Sequence, residues 1–309
     1  MPQYSIGVDL GGTNLRAAAI DRNGKLLGKV EGATQLSAGR DAVVSDIVAS
    51  IMRLRADGGA EHLIGVGIGT PGFLAIEEGI IRHSPNLPGF DNFAIRDEIE
   101  RLLQAPVLLE NDANVAALGE KWMGAGREVD DLVLLTLGTG IGGGIISAGH
   151  VLHGFVGMAG EIGHMTVVPG GNPCACGNNG CLEKHASATA VTAMARMMGL
   201  GENPSSKDVF DMAIAGNEKA RVVFERMGTA LGMALASLVN IFNFPLYLLS
   251  GGPLPAWEFF APAMFDECKR RSFVFRNTET RIEKATLGNA AGLYGAAYLP
   301  IQARIIGPA

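Results

Sequence analysis

No long run of lysine and arginine occurs in this 309-residue chain, and its formal charge is -6 at pH 7. A protein that tracks a nucleic-acid backbone needs a basic face, so no nucleic acid is expected as a partner. No uninterrupted apolar run approaches the roughly 20 residues that cross a bilayer. The apolar stretches are short and broken by glycine, so the mean hydropathy of +0.23 reads as core strands of a cytoplasmic protein with no membrane partner. The N-terminus lacks a secretory signal, which removes the usual route to an oxidising compartment. A G-x-x-x-x-G-K-[ST] run is missing as well, which excludes a P-loop. Cysteine is sparse, with four in all.

Three of those four cysteines stand close to one histidine: His164, Cys174, Cys176 and Cys181 share a short segment. A disulfide would leave one of the three unmatched, and a bridge between Cys174 and Cys176 would be strained. Pro173, Gly177, Asn178, Asn179 and Gly180 supply the tight turns that bring ligands to one point. A Cys₃His set makes a closed tetrahedral cage, so the Zn²⁺ it implies is structural and the chemistry is expected beside it, at Glu161 and Glu183. Cys268, far along the chain, reads as a half-buried thiol in a helical stretch.

The opening residues alternate short strands with glycine turns. Strands are expected over 4–10, 15–21 and 25–28, joined by Gly11-Gly12-Thr13-Asn14 and Asn23-Gly24. A helix over 41–55 and a strand over 64–69 follow. A strand at 106–109 then delivers Glu110, Asn111 and Asp112 at its carboxyl end, with a helix from 113 to 123. Open α/β sheets bind ligands at such ends. The strand 132–137, the turn Gly138-Thr139-Gly140 and the strand 141–146 repeat the opening pattern, as a duplicated half-domain would. Helices are expected over 186–198, 206–215, 218–242 and 288–299, and a strand over 246–249 runs into Gly251-Gly252.

Glycine turns of this kind offer backbone N–H groups to phosphate oxygens. Each leads into a strand rather than a helix, unlike a dinucleotide-binding turn. Asp9, immediately before the first turn, suits an Mg²⁺–phosphate complex, against the alternative of an aspartate that bonds its own turn. Asp112 has two open roles: N-cap of the helix that follows, or general base in phosphoryl transfer.

Asp9-x-Gly-Gly-Thr, Glu110-Asn-Asp, Leu137-Gly-Thr-Gly-x-Gly-Gly-Gly, Gly160-Glu-x-Gly-His and Cys174-x-Cys-Gly-x-x-Gly-Cys-x-Glu resemble, in order and over nearly the whole chain, the ROK family of sugar kinases and sugar-responsive repressors. The resemblance implies an α/β, actin-like ATPase fold of duplicated RNase H-like halves, two lobes with sugar and ATP in the cleft between them. It places a small lobe over 1–115, rejoined by a C-terminal helix at about 294–309, and a larger lobe over 116–293. Asp112 would be the catalytic base toward a sugar 6-hydroxyl, and Asn86, Asn111, Glu161, His164 and Glu183 would hold the sugar. Gly11, Gly12, Thr13, Gly138, Thr139 and Gly140 would embrace the ATP phosphates with Mg²⁺ near Asp9, and Gly251 and Gly252 would lie near the adenosine. The zinc cage of His164, Cys174, Cys176 and Cys181 would fix the loop that carries Glu183.

Within the group, the chain is most similar to bacterial glucokinases, which implies phosphorylation of glucose and self-association as a homodimer. Kinases for fructose, mannose, N-acetylglucosamine or N-acetylmannosamine, and a non-catalytic sugar sensor, are the alternatives. The repressors carry a helix-turn-helix domain ahead of the first motif, and with a first strand at about Tyr4 no such DNA reader is expected here. Many glucokinases of the group have lysine after the Gly-Gly-Thr turn, where this chain has Asn14.

Overall fold

The computed structural model describes residues 2–306. The strands are β1 (Tyr4–Leu10), β2 (Asn14–Asp21), β3 (Leu26–Ala33), β4 (Leu63–Thr70), β5 (Phe73–Ala75), β6 (Ile80–His83), β7 (Val107–Asn111), β8 (Leu132–Leu137), β9 (Ile141–Ser147), β10 (His150–Val151), β11 (Leu246–Gly251) and β12 (Arg281–Lys284). The helices are α1 (Arg40–Gly58), α2 (Ile95–Leu103), α3 (Asp112–Met123), α4 (Glu183–Ala186), α5 (Ala188–Met197), α6 (Ser206–Ile214), α7 (Glu218–Phe242), α8 (Trp257–Arg271), α9 (Phe273–Asn277) and α10 (Ala291–Ile306). Two five-stranded sheets share one plan, β3-β2-β1-β4-β7 and β10-β9-β8-β11-β12. In each, a central strand has its hairpin partner on one side and two later strands on the other, which is the duplication that the repeated glycine turn announces.

The chain divides into two compact units. The first holds residues 1–130, 144–159 and 286–309, the second 131–143 and 160–285. A boundary at 115 would cut helix α3, which instead belongs whole to the first unit because it packs on α10. The approach is very close: a Cβ on Gly295 would lie 1.6 Å from the Val115 carbonyl oxygen, and one on Gly67 1.9 Å from that of Ala296. These glycines let α10 lie directly on β4 and α3. Gly295→Ala should therefore destabilise the chain by about 1–3 kcal/mol, since the helix must move to admit one methyl group; a urea midpoint equal to that of the parent chain would refute the packing argument. Of the expected helix at 294–309, residues 307–309 lie outside the described residues.

The apolar side of α1 is the one its spacing predicts: Val43, Val44, Ile47, Ile51 and Leu54 are buried. They pack on β1, where Ile6, Val8 and Leu10 are fully buried in the same core.

In the second unit, the 25-residue α7 buries Val223, Phe224, Met227, Leu231, Leu235 and Leu238. By length and apolarity α7 could cross a bilayer, contrary to the expectation that no stretch qualifies, but 67% of the apolar window is buried inside the protein, as in a core helix. Gly228 and Gly232 admit the backbone of α8 against it. Cys268, on α8, is fully buried rather than half-buried, and burial pushes its thiol up to about 12.

Candidate active site

In the first unit the neighbouring parallel strands β1, β4 and β7 end together. Asp9 is in register with Gly69, and Thr70 with Asn111. The Gly11 N–H donates to the Asn14 carbonyl at 2.9 Å, closing the first turn. From the end of β3, the Thr34 N–H donates to the Thr13 carbonyl at 2.9 Å, and its hydroxyl donates to the Gly11 carbonyl at 2.7 Å. A Cβ on Gly12 would stand 2.8 Å from the Asn86 carbonyl oxygen, so the structure brings Asn86 against the first glycine turn. The Asp9 carboxylate has Arg16 Nη1 at 3.6 Å; burial raises its pKa, and the guanidinium opposes that shift.

At the β7–α3 corner the N-cap is Asn111. Its side-chain oxygen accepts from the N–H groups of Ala113 at 2.9 Å and Asn114 at 3.4 Å. Asp112 becomes the first helical residue, where its Oδ1 also accepts from the Ala113 N–H at 2.8 Å. Of the two roles open to Asp112, capping thus falls to its neighbour. Because the helix start holds Asn111 Oδ1, the side-chain amide nitrogen is turned away from the helix end.

A buried carboxylate, Glu110, underlies this corner at 2% exposure. Its Oε1 accepts from the Asn111 N–H at 2.8 Å and from Asn114 Nδ2 at 2.9 Å, and its Oε2 lies 2.6 Å from His153 Nε2. The carboxylate beside His153 raises the imidazole pKa, which burial partly opposes.

In the second unit, the other two glycine segments lie at the ends of β8 and β11. The Gly252 N–H donates to the Leu137 carbonyl at 3.1 Å, placing Gly251-Gly252 beside the Gly138-Thr139-Gly140 turn. That turn is closed by the Gly138 N–H donating to the Gly140 carbonyl at 2.9 Å and is braced by the Thr189 hydroxyl donating to the Thr139 carbonyl at 2.7 Å. Glu183 reaches the same turn, its Oε2 accepting from the Ile141 N–H at 3.2 Å. A cavity of about 70 Å³ opens next to Gly252, between Phe210, Phe224, Pro253 and Pro255.

The ligand atoms of His164, Cys174, Cys176 and Cys181 all lie within 4.8 Å of one another. Cys176 Sγ is 3.7 Å from Cys181 Sγ, and Cys174 Sγ is 3.6 Å from His164 Nδ1. A tetrahedron with zinc–sulfur bonds of about 2.3 Å and a zinc–nitrogen bond of about 2.0–2.1 Å has S···S edges near 3.8 Å and S···N edges near 3.6 Å. The cluster is compatible with zinc on that measure. None of the four cysteines is in a disulfide. Gly177 and Gly180, with φ of +92° and +76°, make the two left-handed bends of the knuckle. His164 turns Nδ1 toward Cys174 and Nε2 toward Glu161, whose Oε2 lies at 3.9 Å. One ring can thus serve the cage with one nitrogen and a ligand with the other.

The sequence profile of the ROK family matches residues 5–303. This chain belongs to the ROK family. It is 38% identical to the glucokinase of Halalkalibacterium halodurans over 97% of this chain and 96% of that protein. The crystal structure of the ROK hexokinase from Thermus thermophilus is similar with a TM-score of 0.88 and 36% identity, covering 97% of this chain and 99% of that one. A ROK family glucokinase from Streptomyces griseus, solved in complex with glucose and AMPPNP, is similar with a TM-score of 0.78 and 32% identity over 97% of this chain and 100% of that one. The α/β, actin-like fold that the motifs imply is accordingly the fold of this ROK chain.

Of the residues singled out from the ROK motifs, the first unit gathers Asp9, Gly11, Gly12, Thr13, Asn86, Asn111 and Asp112. The second gathers Gly138, Thr139, Gly140, Gly251, Gly252, Glu161, His164, Glu183 and the three cysteines. Sequence reasoning passed over Glu110's partner His153. It also passed over the fully buried Glu120, which accepts from the Ala125 N–H at 2.9 Å and the Leu287 N–H at 2.7 Å. The signal for Glu120 was a lone acid on the apolar side of α3.

Proposed function

We propose that this ROK protein is an ATP-dependent hexose kinase that converts glucose to glucose 6-phosphate. The observation that carries the reading is the corner at Asn111 and Asp112: the cap is supplied by Asn111, so a carboxylate stands at the helix start without being needed to end it. Asp112 takes the proton of the 6-hydroxyl as that oxygen attacks the γ-phosphorus, and the bond from γ-phosphorus to the bridging oxygen breaks to release ADP. Asn86, Asn111, Glu161, His164 and Glu183 orient the sugar through its hydroxyl groups. The two glycine turns cradle the phosphates with backbone N–H groups, and the cavity beside Gly252, with Phe210 and Phe224, receives the adenine.

Asp9 suits Mg²⁺, because a cation beside a half-buried carboxylate offsets the cost of its charge; bound there, the ion would neutralise phosphate charge. His164, Cys174, Cys176 and Cys181 would hold structural zinc, which supplies rigidity to the segment between Glu161 and Glu183. By family resemblance the enzyme acts in the cytoplasm as a homodimer. The test is ADP release measured across glucose, fructose, mannose and the two N-acetylhexosamines, with glucose expected to give the highest kcat/KM. Binding of glucose without ADP release would instead favour a sugar sensor.

Asn111→Asp separates the two duties of its side chain. It keeps a capping oxygen, so stability should stay within about 0.5 kcal/mol, whereas Asn111→Ala loses about 1 kcal/mol. Both should raise KM for glucose, since both remove the amide donor. An unchanged KM in Asn111→Asp would take this residue out of the sugar site.

A further inference from the structure

We propose that His153 and Glu110 form a positioning pair that holds the corner carrying Asn111 and Asp112, His153 acting through the buried carboxylate. This inference rests on the kinase reading above, because the corner matters most where a proton must be taken from a substrate hydroxyl.

The geometry is that of a clamp. A carboxylate out of contact with water is costly unless donors and a counter-charge surround it. Glu110 has three donors, and they come from three places: the peptide N–H of the cap residue, the Asn114 side chain in the first turn of α3, and the His153 ring at 2.6 Å from the 144–159 segment. Among the described residues His153 is the only basic group within ion-pair distance of it. The carboxylate therefore fastens the end of β7 to the start of α3, which sets the direction of the Asn111 and Asp112 side chains. Removing the ring leaves a buried charge with neutral donors alone, and a displacement of about 1 Å at a reacting group can cost on the order of 10²-fold in rate.

His153 is also open to solvent on one side, with 41% of its side chain exposed, so its proton exchanges with the medium. The charged groups that face it are Glu110 from β7 and Glu77 from the β5–β6 connection, and both raise its pKa above the ordinary 6.5, Glu110 chiefly through the hydrogen bond. A raised folded-state value means that the stabilisation is fully present below 6.5 and is lost as pH climbs through the higher value. The pair thus holds the ordered corner while His153 is protonated and loosens it as pH rises through the raised value.

The experiment is steady-state kinetics on the full-length, zinc-loaded protein from about pH 6 to about pH 10, comparing wild type with His153→Ala, His153→Gln and His153→Arg. His153→Ala should lower kcat by about tenfold to a hundredfold with KM for ATP nearly unchanged. The Gln variant keeps a donor but no charge, so it should recover part of kcat and lose the alkaline decline. The Arg variant keeps the charge at every pH and should hold its activity where wild type fades. A merely structural role would lower the melting temperature of all three and leave the shape of the profile alone. The proposal is overturned by wild-type kcat in His153→Ala, by an alkaline decline that persists in His153→Gln, or by an NMR titration of His153 at or below 6.5. Wild type that releases no ADP with any hexose would instead defeat the kinase reading, a result distinct from all of these.

Discussion

Asp112→Asn is expected to lower kcat for glucose by between about 10² and 10⁴-fold, the usual contribution of a positioned general base. The substitution is nearly isosteric, and the helix start does not depend on the lost charge, because Asn111 satisfies the N–H groups of Ala113 and Asn114. What the fold loses is a favourable carboxylate in the first turn of α3, about 0.3–1 kcal/mol. The melting temperature should thus move by a few degrees at most. KM values for glucose and ATP should stay within a few-fold, since the base acts on a proton in flight and is not the main holder of either substrate. Near-normal kcat in a folded Asp112→Asn protein would remove the general base from the mechanism.

Cys181→Ser should have the second large effect, on folding and catalysis together. Cys181 is fully buried, and Asn178 Nδ2 donates toward its sulfur at 3.5 Å. Closed zinc sites contribute roughly 10–16 kcal/mol of apparent binding energy in small peptides at neutral pH, and losing even about 4 kcal/mol would lower the melting temperature by ~10 °C. Both substrates should suffer. Glu183, two residues after Cys181, accepts from the Ile141 N–H at the second glycine turn, so in the proposed reading a loosened knuckle would disturb His164 on the sugar side and that turn on the phosphate side at once. Metal analysis should find one zinc per wild-type chain and almost none in the variant, with KM raised for glucose and for ATP. A zinc-free protein with full stability and activity would refute the structural role.

Much of the fold was legible from residue order alone. The strand, glycine turn and returning strand stand where periodicity places them, and the four cage residues converge as their spacing suggests. Other features were hidden for physical reasons. Strand β3 runs to Ala33 rather than 28 because most of its residues are exposed at a sheet edge and carry no alternation to read. Helix α8 contains Pro262, a residue that argues against a helix interior, yet α8 is held against α7 by burial of Phe260, Met264 and Cys268. Helix α2 does show apolar Ile95, Ile99 and Leu103 at helical spacing, a pattern too short to stand out beside its charged residues. Glu110 and His153 are 43 positions apart, and no local pattern pairs an acid with a histidine at that distance. Residue order alone offers Asp112 as the cap, yet Asn111 is an equally good N-cap, and the backbone path decides, with Asn111 extended and Asp112 already helical.

The most direct test of phosphoryl transfer to the 6-hydroxyl is an assay that follows ADP release and glucose 6-phosphate formation together, with glucose and 6-deoxyglucose as alternative acceptors. One glucose 6-phosphate is expected for each ADP from glucose, and no ADP above background from 6-deoxyglucose. Equal ADP release from both sugars, or ADP without the sugar ester, would contradict it.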